Sequence, residues 1–260
     1  MEQFKGNLDN FYTFENDENA RGKNYNAGLI EFITTKKYMN QVIPQNSKIL
    51  DACAGCGFYS FFLAEQGHQL TAGDYVEHNV NEIKKFQAQT PILHGIYKGN
   101  VIDLSEFSNE SFDVVLNMGA YYHLLKKEER DKSIAECLRV LRPNGLFFLA
   151  YLNKFSNFIA YHEQWKDDFA RVEKVLEKGY VDNDCLFYTS TPEEVEETIF
   201  RFGIKILYNI ATDGLKANIY NTINSMNDEL FNRYLDYHFK ICEIKSILGY
   251  SEHALAICQK

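Results

Sequence analysis

The sequence predicts a doubly wound α/β fold, in which helices cover both faces of a mostly parallel sheet. From about residue 48 onward, short apolar runs alternate with segments of helical periodicity. The apolar runs are almost continuous, as expected for strands that are buried on both faces. With 260 residues, the chain is long enough for one large domain with a sizeable core. This repetition of strand and helix is the arrangement that builds a parallel sheet.

The first half of the chain predicts five strands and the helices between them. The strands are KILDAC, QLTAGDYV, ILHGIYKGN, FDVVLNMG and GLFFLAYL, and the helices are FYSFFLAEQG, HNVNEIKKFQ and LKKEERDKSIAECLRVL. The last helix carries one apolar face, formed by Ile134, Cys137, Leu138 and Leu141, and a Pro-Asn-Gly turn ends it. Folds of this kind bind ligands at the carboxyl ends of the strands. We therefore expect DACAGCG, GDYVE, KGNVID and NMGAYYH to converge on one crevice.

The second half of the chain is richer in helices. KFSNFIAYHEQWKDDFARVEKVLEKG predicts one long helical stretch, and Thr191, Pro192 and Glu194 supply the cap, first-turn proline and capping-box glutamate of a helix to about Phe202. IKILYNIATDG and HALAICQK predict two final strands, which bring the sheet to seven strands. MNDELFNRYLDYHFKICEIKSIL predicts another helix between them. We expect the added helices to cover the crevice.

Composition and charge narrow the possible functions. The net charge is −9 with an isoelectric point near 5.3, and basic residues cluster only as short pairs such as Lys84-Lys85 and Lys126-Lys127. Nucleic-acid binding therefore lacks its usual electrostatic footprint, and small molecules are the expected partners. No apolar run approaches the roughly 18 residues of a membrane span, and the acidic N-terminus does not resemble a signal peptide. Six cysteines without framework spacing suit a reducing compartment, so we expect a cytoplasmic protein without membrane contact.

The segment ILDACAGCGFYS allows two chemical interpretations. Cys53 and Cys56 have the CxxC spacing of redox dithiols and of half a zinc site, whereas Gly55 and Gly57 are typical of a ligand-binding turn between strand and helix. The pattern Asp51-x-Cys53-x-Gly55-x-Gly57 resembles the DxGxGxG signature of class I S-adenosylmethionine-dependent methyltransferases, with Cys53 in place of the first glycine. The resemblance implies a Rossmann-like sheet and S-adenosylmethionine as the cofactor.

Further segments extend this resemblance over roughly residues 45–153. Asp74 ends the second strand, where a carboxylate can accept hydrogen bonds from the ribose hydroxyls. GNVIDLSEFSNESFDVV looks like the family segment GDAxDLPFxDxSFDxV, with Asn100 where an aspartate commonly contacts the adenine amine. ECLRVLRPNGLFFLA matches the family's helix, turn and fifth strand. The resemblance implies no metal site and these cofactor-binding residues: Asp51, Ala52, Cys53, Gly55, Gly57, Asp74, Tyr75, Asn100, Val101, Asn117 and Met118.

The whole chain is also similar to a group of bacterial small-molecule methyltransferases. They share a YYHLL segment after the fourth strand and runs like ATDGL, YLDYH and LGYSEHAL. His123 in YYHLL is a candidate general base for a hydroxyl or amine acceptor, or else a residue that caps or packs the next helix. Tyr122 is a candidate for orienting the acceptor, although Tyr121 and Tyr122 equally suit the core.

A few residues outside these motifs are weaker candidates. Asp213, Arg21 and Tyr25 are possible crevice contacts because of their place in the shared runs, but a turn aspartate and a solvated arginine are the simpler interpretations. His238 lies on an apolar helix face and is expected to be a packing residue. None of these residues is assigned a catalytic role.

Other functions stay open at this point. One alternative is a protein that binds S-adenosylmethionine without transferring its methyl group. Another is a nicotinamide-dependent oxidoreductase, which the absence of GxGxxG spacing disfavours. No second CxxC completes a zinc site, and a redox dithiol needs an accessible thiol. Amino methylation of nucleic acids is not expected, because Asn-Met-Gly-Ala at 117–120 lacks the [DN]PP[YF] motif.

We therefore predict an S-adenosylmethionine-dependent methyltransferase that methylates an oxygen or nitrogen of a small molecule. It is expected to be a monomer or homodimer. The predicted layout is one domain over residues 1–260, with an N-terminal helical cap (1–45), a cofactor-binding core (46–153) and substrate-side helices with the last strands (154–260).

Overall fold

The computed structural model of the protein describes Leu8, Phe11, Tyr12 and residues 25–182 and 185–260. Within these residues, seven strands form one sheet in the order β3-β2-β1-β4-β5-β7-β6. The strands are β1 (Lys48–Asp51), β2 (Gln69–Asp74), β3 (Gly95–Lys98), β4 (Phe112–Asn117), β5 (Leu141–Leu152), β6 (Lys205–Ala211) and β7 (His253–Gln259). The predicted α/β class and seven-stranded, mostly parallel sheet are confirmed.

Helices precede, connect and follow these strands. In the first half they are α1 (Asn26–Val42), α2 (Phe58–Glu65), α3 (Glu77–Gln89) and α4 (Lys127–Val140), with a 3₁₀ helix at Ala120–His123. In the second half they are α5 (Lys154–Trp165), α6 (Phe169–Lys178), α7 (Pro192–Arg201), α8 (Tyr220–Asn224), α9 (Asp228–Ile241) and α10 (Lys245–Leu248). Among the described helices, none is long and apolar enough to cross a membrane.

Strand direction brings the functional segments to one edge of the sheet. The strands β1 to β5 pair in parallel, and β7 runs antiparallel to both β5 and β6. The carboxyl ends of β1, β2 and β4 therefore lie at the same edge, where β7 begins opposite the end of β5. The pairing of Leu152 with His253 fixes that last register.

The sheet is buried on both faces, which explains its continuous apolar strands. Neighbouring residues of β5, Phe147 and Phe148, belong to two different hydrophobic clusters, one on each face. Leu50 and Ile49 of β1 divide between the same two clusters. A third cluster packs α1 against α8 and α9 through Ile30 and its neighbours. The N-terminal and C-terminal helices thus support each other beside the sheet edge.

Several predicted elements have different boundaries in the structure. Leu141, predicted on a helix face, begins β5, which also contains the predicted Pro-Asn-Gly turn. The third strand is shorter than ILHGIYKGN, because the amides of Ile92 and Leu93 donate to the side-chain oxygen of Gln87 instead of to a strand. The predicted long helix from residue 154 is divided into α5 and α6, since Asp168 caps a new helix by accepting from the amide of Arg171. The helix predicted over 226–248 ends at Ile241, and the carbonyl of Cys242 accepts from the amide of Ala211.

The capping signal of α7 is confirmed. The Thr191 hydroxyl accepts from the amide of Glu194, and the Glu194 carboxylate accepts from the amide of Thr191. Pro192 begins the helix at its first position. The capping box and the first-turn proline therefore define where α7 begins.

Candidate functional site

Residues 52–57 connect β1 to α2 and contain two glycines with different surroundings; this segment, which is predicted to bind the cofactor, is called the cofactor turn below. Gly55 has a φ of 55° and Gly57 a φ of 89°, both in the left-handed region that favours glycine. A Cβ atom built on Gly55 would meet nothing within 4 Å. A Cβ atom on Gly57 would approach Phe61 at 3.0 Å and Ile83 at 3.2 Å. Gly55 therefore leaves space open, whereas Gly57 allows the turn to pack against the protein itself.

Asp74 at the end of β2 forms hydrogen bonds to the cofactor turn and to the loop that follows β2. Its Oδ2 accepts from the amide of Gly55 at 2.9 Å, and its Oδ1 accepts from the amide of Val76 at 2.8 Å and from Asn79 Nδ2 at 3.1 Å. The carboxylate is buried. These bonds join the loop after β2 to the turn after β1, and they add to the backbone bond from the amide of Ala54 to the carbonyl of Gly73.

Asp51 ends β1 and is a buried carboxylate. Only 2% of the residue is exposed, and its Oδ2 accepts from the Ser60 hydroxyl at 2.7 Å. Burial raises the pKa of Asp51 to about 7, and the nearby charge of Asp74 adds to the rise. A positively charged ligand in this place would favour the ionised form.

The two cysteines of the cofactor turn are packed into the protein. The Cys53 thiol points at Asn117 Oδ1 at 3.7 Å, and the buried Cys56 thiol points at Asn79 Oδ1 at 3.8 Å. Burial raises the pKa of the Cys53 thiol well above its usual value, and the Asp51 charge raises it further. A reactive cysteine needs an accessible, stabilised thiolate, so these surroundings argue against a redox dithiol.

Most of the predicted site residues line one cavity of about 530 Å³. The predicted residues that line it are Asp51, Ala52, Cys53, Gly55, Asp74, Tyr75, Asn100, Val101, Met118, Tyr122 and His123. Gly57 is not among them, and neither is Asn117, which is fully buried and donates to Ser133 Oγ. The assignment of these residues to a cofactor stays a prediction.

His123 ends the 3₁₀ helix after β4 and forms two hydrogen bonds. Its Nδ1 lies 2.8 Å from the carbonyl oxygen of Leu186, and its Nε2 lies 2.7 Å from the hydroxyl of Tyr12. Because a carbonyl can only accept, Nδ1 carries the proton, and Nε2 of the neutral ring accepts from Tyr12. The ring also packs on Phe187, with centroids 4.8 Å apart. These contacts fix both the tautomer and the orientation of His123.

Tyr12 is a site residue that the sequence analysis missed. It lines the cavity together with His123, although the two residues lie 111 positions apart in the chain. Tyr122 lines the cavity, whereas Tyr121 belongs to the hydrophobic core. Tyr25 is 62% exposed and does not line the cavity, and the candidate Arg21 lies outside the described residues.

Asp213 and His238 are buried polar residues that do not line the cavity. The Asp213 carboxylate accepts from the Ser251 hydroxyl at 2.6 Å and from His253 Nδ1 at 2.9 Å, and it pairs with Lys216 at 2.7 Å. His238 is 1% exposed, and its Nε2 lies 3.0 Å from the Thr34 hydroxyl. Its burial agrees with the expected packing role, but its Nδ1 has no hydrogen-bond partner among the described residues. The sequence analysis missed Lys216, which pairs with Asp213 and which no motif indicated.

Asp213, Glu252 and His253 are close enough to one another to hold a metal ion. The Lys216 ammonium, however, lies 2.7 Å from Asp213 and 3.0 Å from Glu252. A divalent cation between the same carboxylates would be repelled by this ammonium. The group is therefore an ion-pair network rather than a metal centre.

Comparisons with known proteins agree with this fold. Residues 50–149 match the family model described as "Methyltransferase domain". The chain is 25% identical over 162 residues to "Glycine/sarcosine N-methyltransferase" of Aphanothece halophytica, covering 60% of this chain and 54% of that protein. It is 29% identical over 107 residues to "Ubiquinone biosynthesis O-methyltransferase" of Mesorhizobium japonicum, covering 41% of each protein. The chain thus spans about half, or less, of the length of these relatives.

A solved structure shows the same fold. A methyltransferase dependent on S-adenosylmethionine from Methanosarcina mazei superposes with a TM-score of 0.60 at 17% identity, covering 86% of this chain and 96% of the other. The fold of this chain is therefore that of solved S-adenosylmethionine-dependent methyltransferases. Residues 50–149 are thus the part of the chain that is similar to known methyltransferase domains.

Proposed function

We propose that the protein binds S-adenosylmethionine in the 530 Å³ cavity and transfers its methyl group to a small molecule. Pockets of this size accommodate small ligands. Gly55 faces open space beside the buried Asp51 carboxylate, which receives no ion pair from the described residues. A cationic cofactor fits these surroundings, because it would supply the positive charge that Asp51 lacks.

Asp74 and Asn100 would contact the nucleoside part of the cofactor. The carboxylate of Asp74 accepts from the N–H groups of Gly55, Val76 and Asn79. It ends β2 and lines the cavity, where its oxygens could also accept from a ribose hydroxyl. Asn100 and Val101 line the cavity near β3, where the resemblance predicts the adenine.

The observation that carries a catalytic role is the hydrogen-bonded chain Tyr12–His123–Leu186. When bound, S-adenosylmethionine supplies a methyl group that is already activated for transfer. The protein must then align the acceptor and receive its proton. We propose that the Tyr12 oxygen takes the acceptor's proton while the Tyr12 hydroxyl proton moves to His123 Nε2. The Leu186 carbonyl, which already accepts from Nδ1, would stabilise the resulting imidazolium.

The acceptor atom is proposed to be oxygen or nitrogen. The relatives reported above are named for N-methylation in one case and O-methylation in the other, so their names leave both atoms open. We also propose that the protein acts on small molecules rather than nucleic acids, in the cytoplasm, as a single domain that is a monomer or homodimer. Its net charge of −9 supports the first of these points.

Methyl transfer to a panel of small phenols and amines, scored by formation of S-adenosylhomocysteine, tests this proposal. We expect His123→Gln and Tyr12→Phe each to lower kcat by about 100-fold with a protonated acceptor, the usual range for a general base. The exposed residues His94 and Tyr237 offer matched controls, as His94→Gln and Tyr237→Phe.

Unchanged turnover of His123→Gln across the pH range would contradict the role of His123 as a base. Binding of S-adenosylmethionine without transfer to any acceptor in the panel would instead favour the non-catalytic binding protein.

A further inference from the structure

His123 receives one of its hydrogen bonds from a stretch of irregular backbone. Its Nδ1–H donates to the carbonyl of Leu186, which belongs to residues 186–188. These residues are neither helix nor strand, and the amide of Tyr188 joins them to the carbonyl of Tyr122 at 2.7 Å. Because no ladder of hydrogen bonds holds this backbone, the position of the Leu186 carbonyl depends on the side chains packed around it.

The side chain of Arg130 on α4 contacts the backbone on both sides of this hydrogen bond. Its Nη1 donates to the carbonyls of Leu124 and Leu125, the two residues that follow His123, at 2.7 Å each. Its guanidinium carbon lies 3.5 Å from the centroid of the Tyr188 ring, a distance at which arginine stacks on an aromatic face. One side chain thus connects the loop after His123 to the segment that carries its carbonyl partner.

Arg130 is buried among uncharged groups. Only 8% of the residue is exposed, and its Nη1 bonds go to carbonyl oxygens rather than to a carboxylate. The adjacent Asp131 instead pairs with Arg201 near the surface. A buried cation costs free energy unless its surroundings compensate for the lost water, and here the two carbonyls and the Tyr188 ring do so. Arg130 therefore belongs to the packing around His123 and not to the surface ion pairs.

We propose that Arg130 is a positioning residue that holds the Leu186 carbonyl against Nδ1 of His123. The catalytic consequence of this inference rests on the proposed function. Because a carbonyl can only accept, this bond keeps the proton of the neutral ring on Nδ1 and directs the Nε2 lone pair at the Tyr12 hydroxyl. If the carbonyl moves away, the proton can shift to Nε2, and an Nε2–H group cannot take the proton of Tyr12.

NMR of protein that is isotopically labelled at its histidine nitrogens tests the contact without any acceptor. The spectra are recorded at pH 8, above the usual histidine pKa of about 6.5, and the His123 signals are assigned by their absence from His123→Gln. We expect only the Nδ1–H tautomer of His123 in the wild-type protein and a mixture of both tautomers in Arg130→Gln. Arg233→Gln, at an exposed position of α9, is the matched control and should match the wild type.

Tyr188→Leu tests the same contact from the other side. It removes the aromatic face on which Arg130 stacks but keeps the backbone amide that donates to Tyr122. We expect this variant to show the same mixture of His123 tautomers. If thermal unfolding shows that Arg130→Gln does not fold, Tyr188→Leu decides the question by itself.

A double-mutant cycle tests whether Arg130 acts through His123 in catalysis. With a protonated acceptor, we expect Arg130→Gln to lower kcat by about tenfold, a part of the usual contribution of a general base. In the His123→Gln background, Arg130→Gln should lower kcat no further, because the group that it positions is already absent. A merely structural role would lower kcat equally in both backgrounds.

Three results would overturn the inference: an Nε2–H tautomer of His123 in the wild-type protein, an unchanged Nδ1–H tautomer in both Arg130→Gln and Tyr188→Leu, or equal losses of kcat in the two backgrounds. Absence of methyl transfer by the wild-type protein would instead refute the proposed function. The NMR measurement would still decide whether Arg130 positions His123, so the two failures are distinguishable.

Discussion

Two buried aspartates, Asp51 and Asp213, differ in whether the fold places a positive charge beside the carboxylate. Asp51 is 2% exposed and Asp213 is fully buried. Burial raises the pKa of Asp51 to about 7, because its described neighbours offer a hydroxyl and a second carboxylate but no cation. Burial acts in the same direction on Asp213, yet the Lys216 ammonium and His253 lower its pKa far below the usual value.

The difference distinguishes a carboxylate that is paired within the fold from one that could pair with a bound ligand. Asp213 carries its counter-charge within the fold, so its ion pairs hold the loops after β6 and before β7 together. Asp51 faces the cavity without such a partner among the residues described, which is costly for the empty protein. A cationic ligand bound in the cavity would supply the positive charge that Asp51 lacks.

The largest expected effect comes from removing the internally paired charge. Asp213→Ala leaves the Lys216 ammonium and His253 without their shared carboxylate, and breaking a buried ion pair costs on the order of 3 to 5 kcal/mol. We expect urea unfolding at pH 7 to report this loss, with Asp236→Ala at an exposed position of α9 as the control. A loss no larger than that of the control would mean that the network does not stabilise the fold.

Replacement of Asp51, in contrast, is expected to increase folding stability. Its pKa rises from about 4 in the unfolded chain to about 7 in the folded protein, so folding stability is lost as the pH rises across this interval. Asp51→Asn avoids that loss and keeps an acceptor for Ser60. Above pH 7 we expect the variant to be more stable than wild type by on the order of 2 to 4 kcal/mol, with no difference near pH 4.

The same Asp51→Asn variant should bind S-adenosylmethionine more weakly than wild type at pH 8. The loss should be greater for S-adenosylmethionine than for S-adenosylhomocysteine, which lacks the sulfonium charge. Chemical denaturation across pH and calorimetry with both ligands check the two halves of this prediction. Equal stability of variant and wild type at pH 8 would contradict the uncompensated charge.

A smaller effect is expected at Asp74. Its carboxylate accepts three N–H groups, whereas the amide of Asp74→Asn turns an N–H donor toward Gly55 or toward Val76 and Asn79. We expect S-adenosylmethionine affinity to fall by about 1.5 to 3 kcal/mol, the cost of an unsatisfied charged hydrogen-bond site. Asp103→Asn, at an exposed position, should leave the affinity unchanged. Equal affinities in both variants would refute the placement of the ribose.

The smallest effects distinguish the two glycines of the cofactor turn. Alanine at a left-handed position costs roughly 1 kcal/mol of stability, and Gly57→Ala adds contacts of 3.0 to 3.2 Å with Phe61 and Ile83. We expect Gly57→Ala to lose more stability than Gly55→Ala, and only Gly55→Ala to weaken cofactor binding directly. Thermal unfolding and calorimetry on both variants measure this. The reverse order of stabilities would contradict the assigned surroundings.

The convergence of the proposed cofactor residues on one cavity could be predicted from the sequence, because these residues follow strands in a local pattern. Asp51, Gly55 and Asp74 each lie at or just after a predicted strand end, and parallel strands bring such ends together. The sequence pattern did not reveal that Gly57 packs against Phe61 and Ile83. The spacing of the two glycines is the same whether they face a ligand or the protein. Atomic surroundings, rather than spacing, separate their roles.

The acceptor side could not be predicted in the same way. Tyr12, His123 and Leu186 meet only in three dimensions, across sequence separations of 111 and 63 residues. Lys216 is one lysine among many until folding places it between Asp213 and Glu252. A tertiary contact of this kind leaves no periodic or local signal in a single sequence.

Isothermal titration calorimetry of the ligand-free protein with S-adenosylmethionine, S-adenosylhomocysteine and NADH tests the central claim most directly. Micromolar binding of the first two ligands without binding of NADH is the expected result, and it would establish residues 52–57 as the cofactor turn. Binding of NADH alone would favour an oxidoreductase. The absence of binding by any of the three would contradict the account and return Cys53 and Cys56 to consideration as the functional groups of this segment.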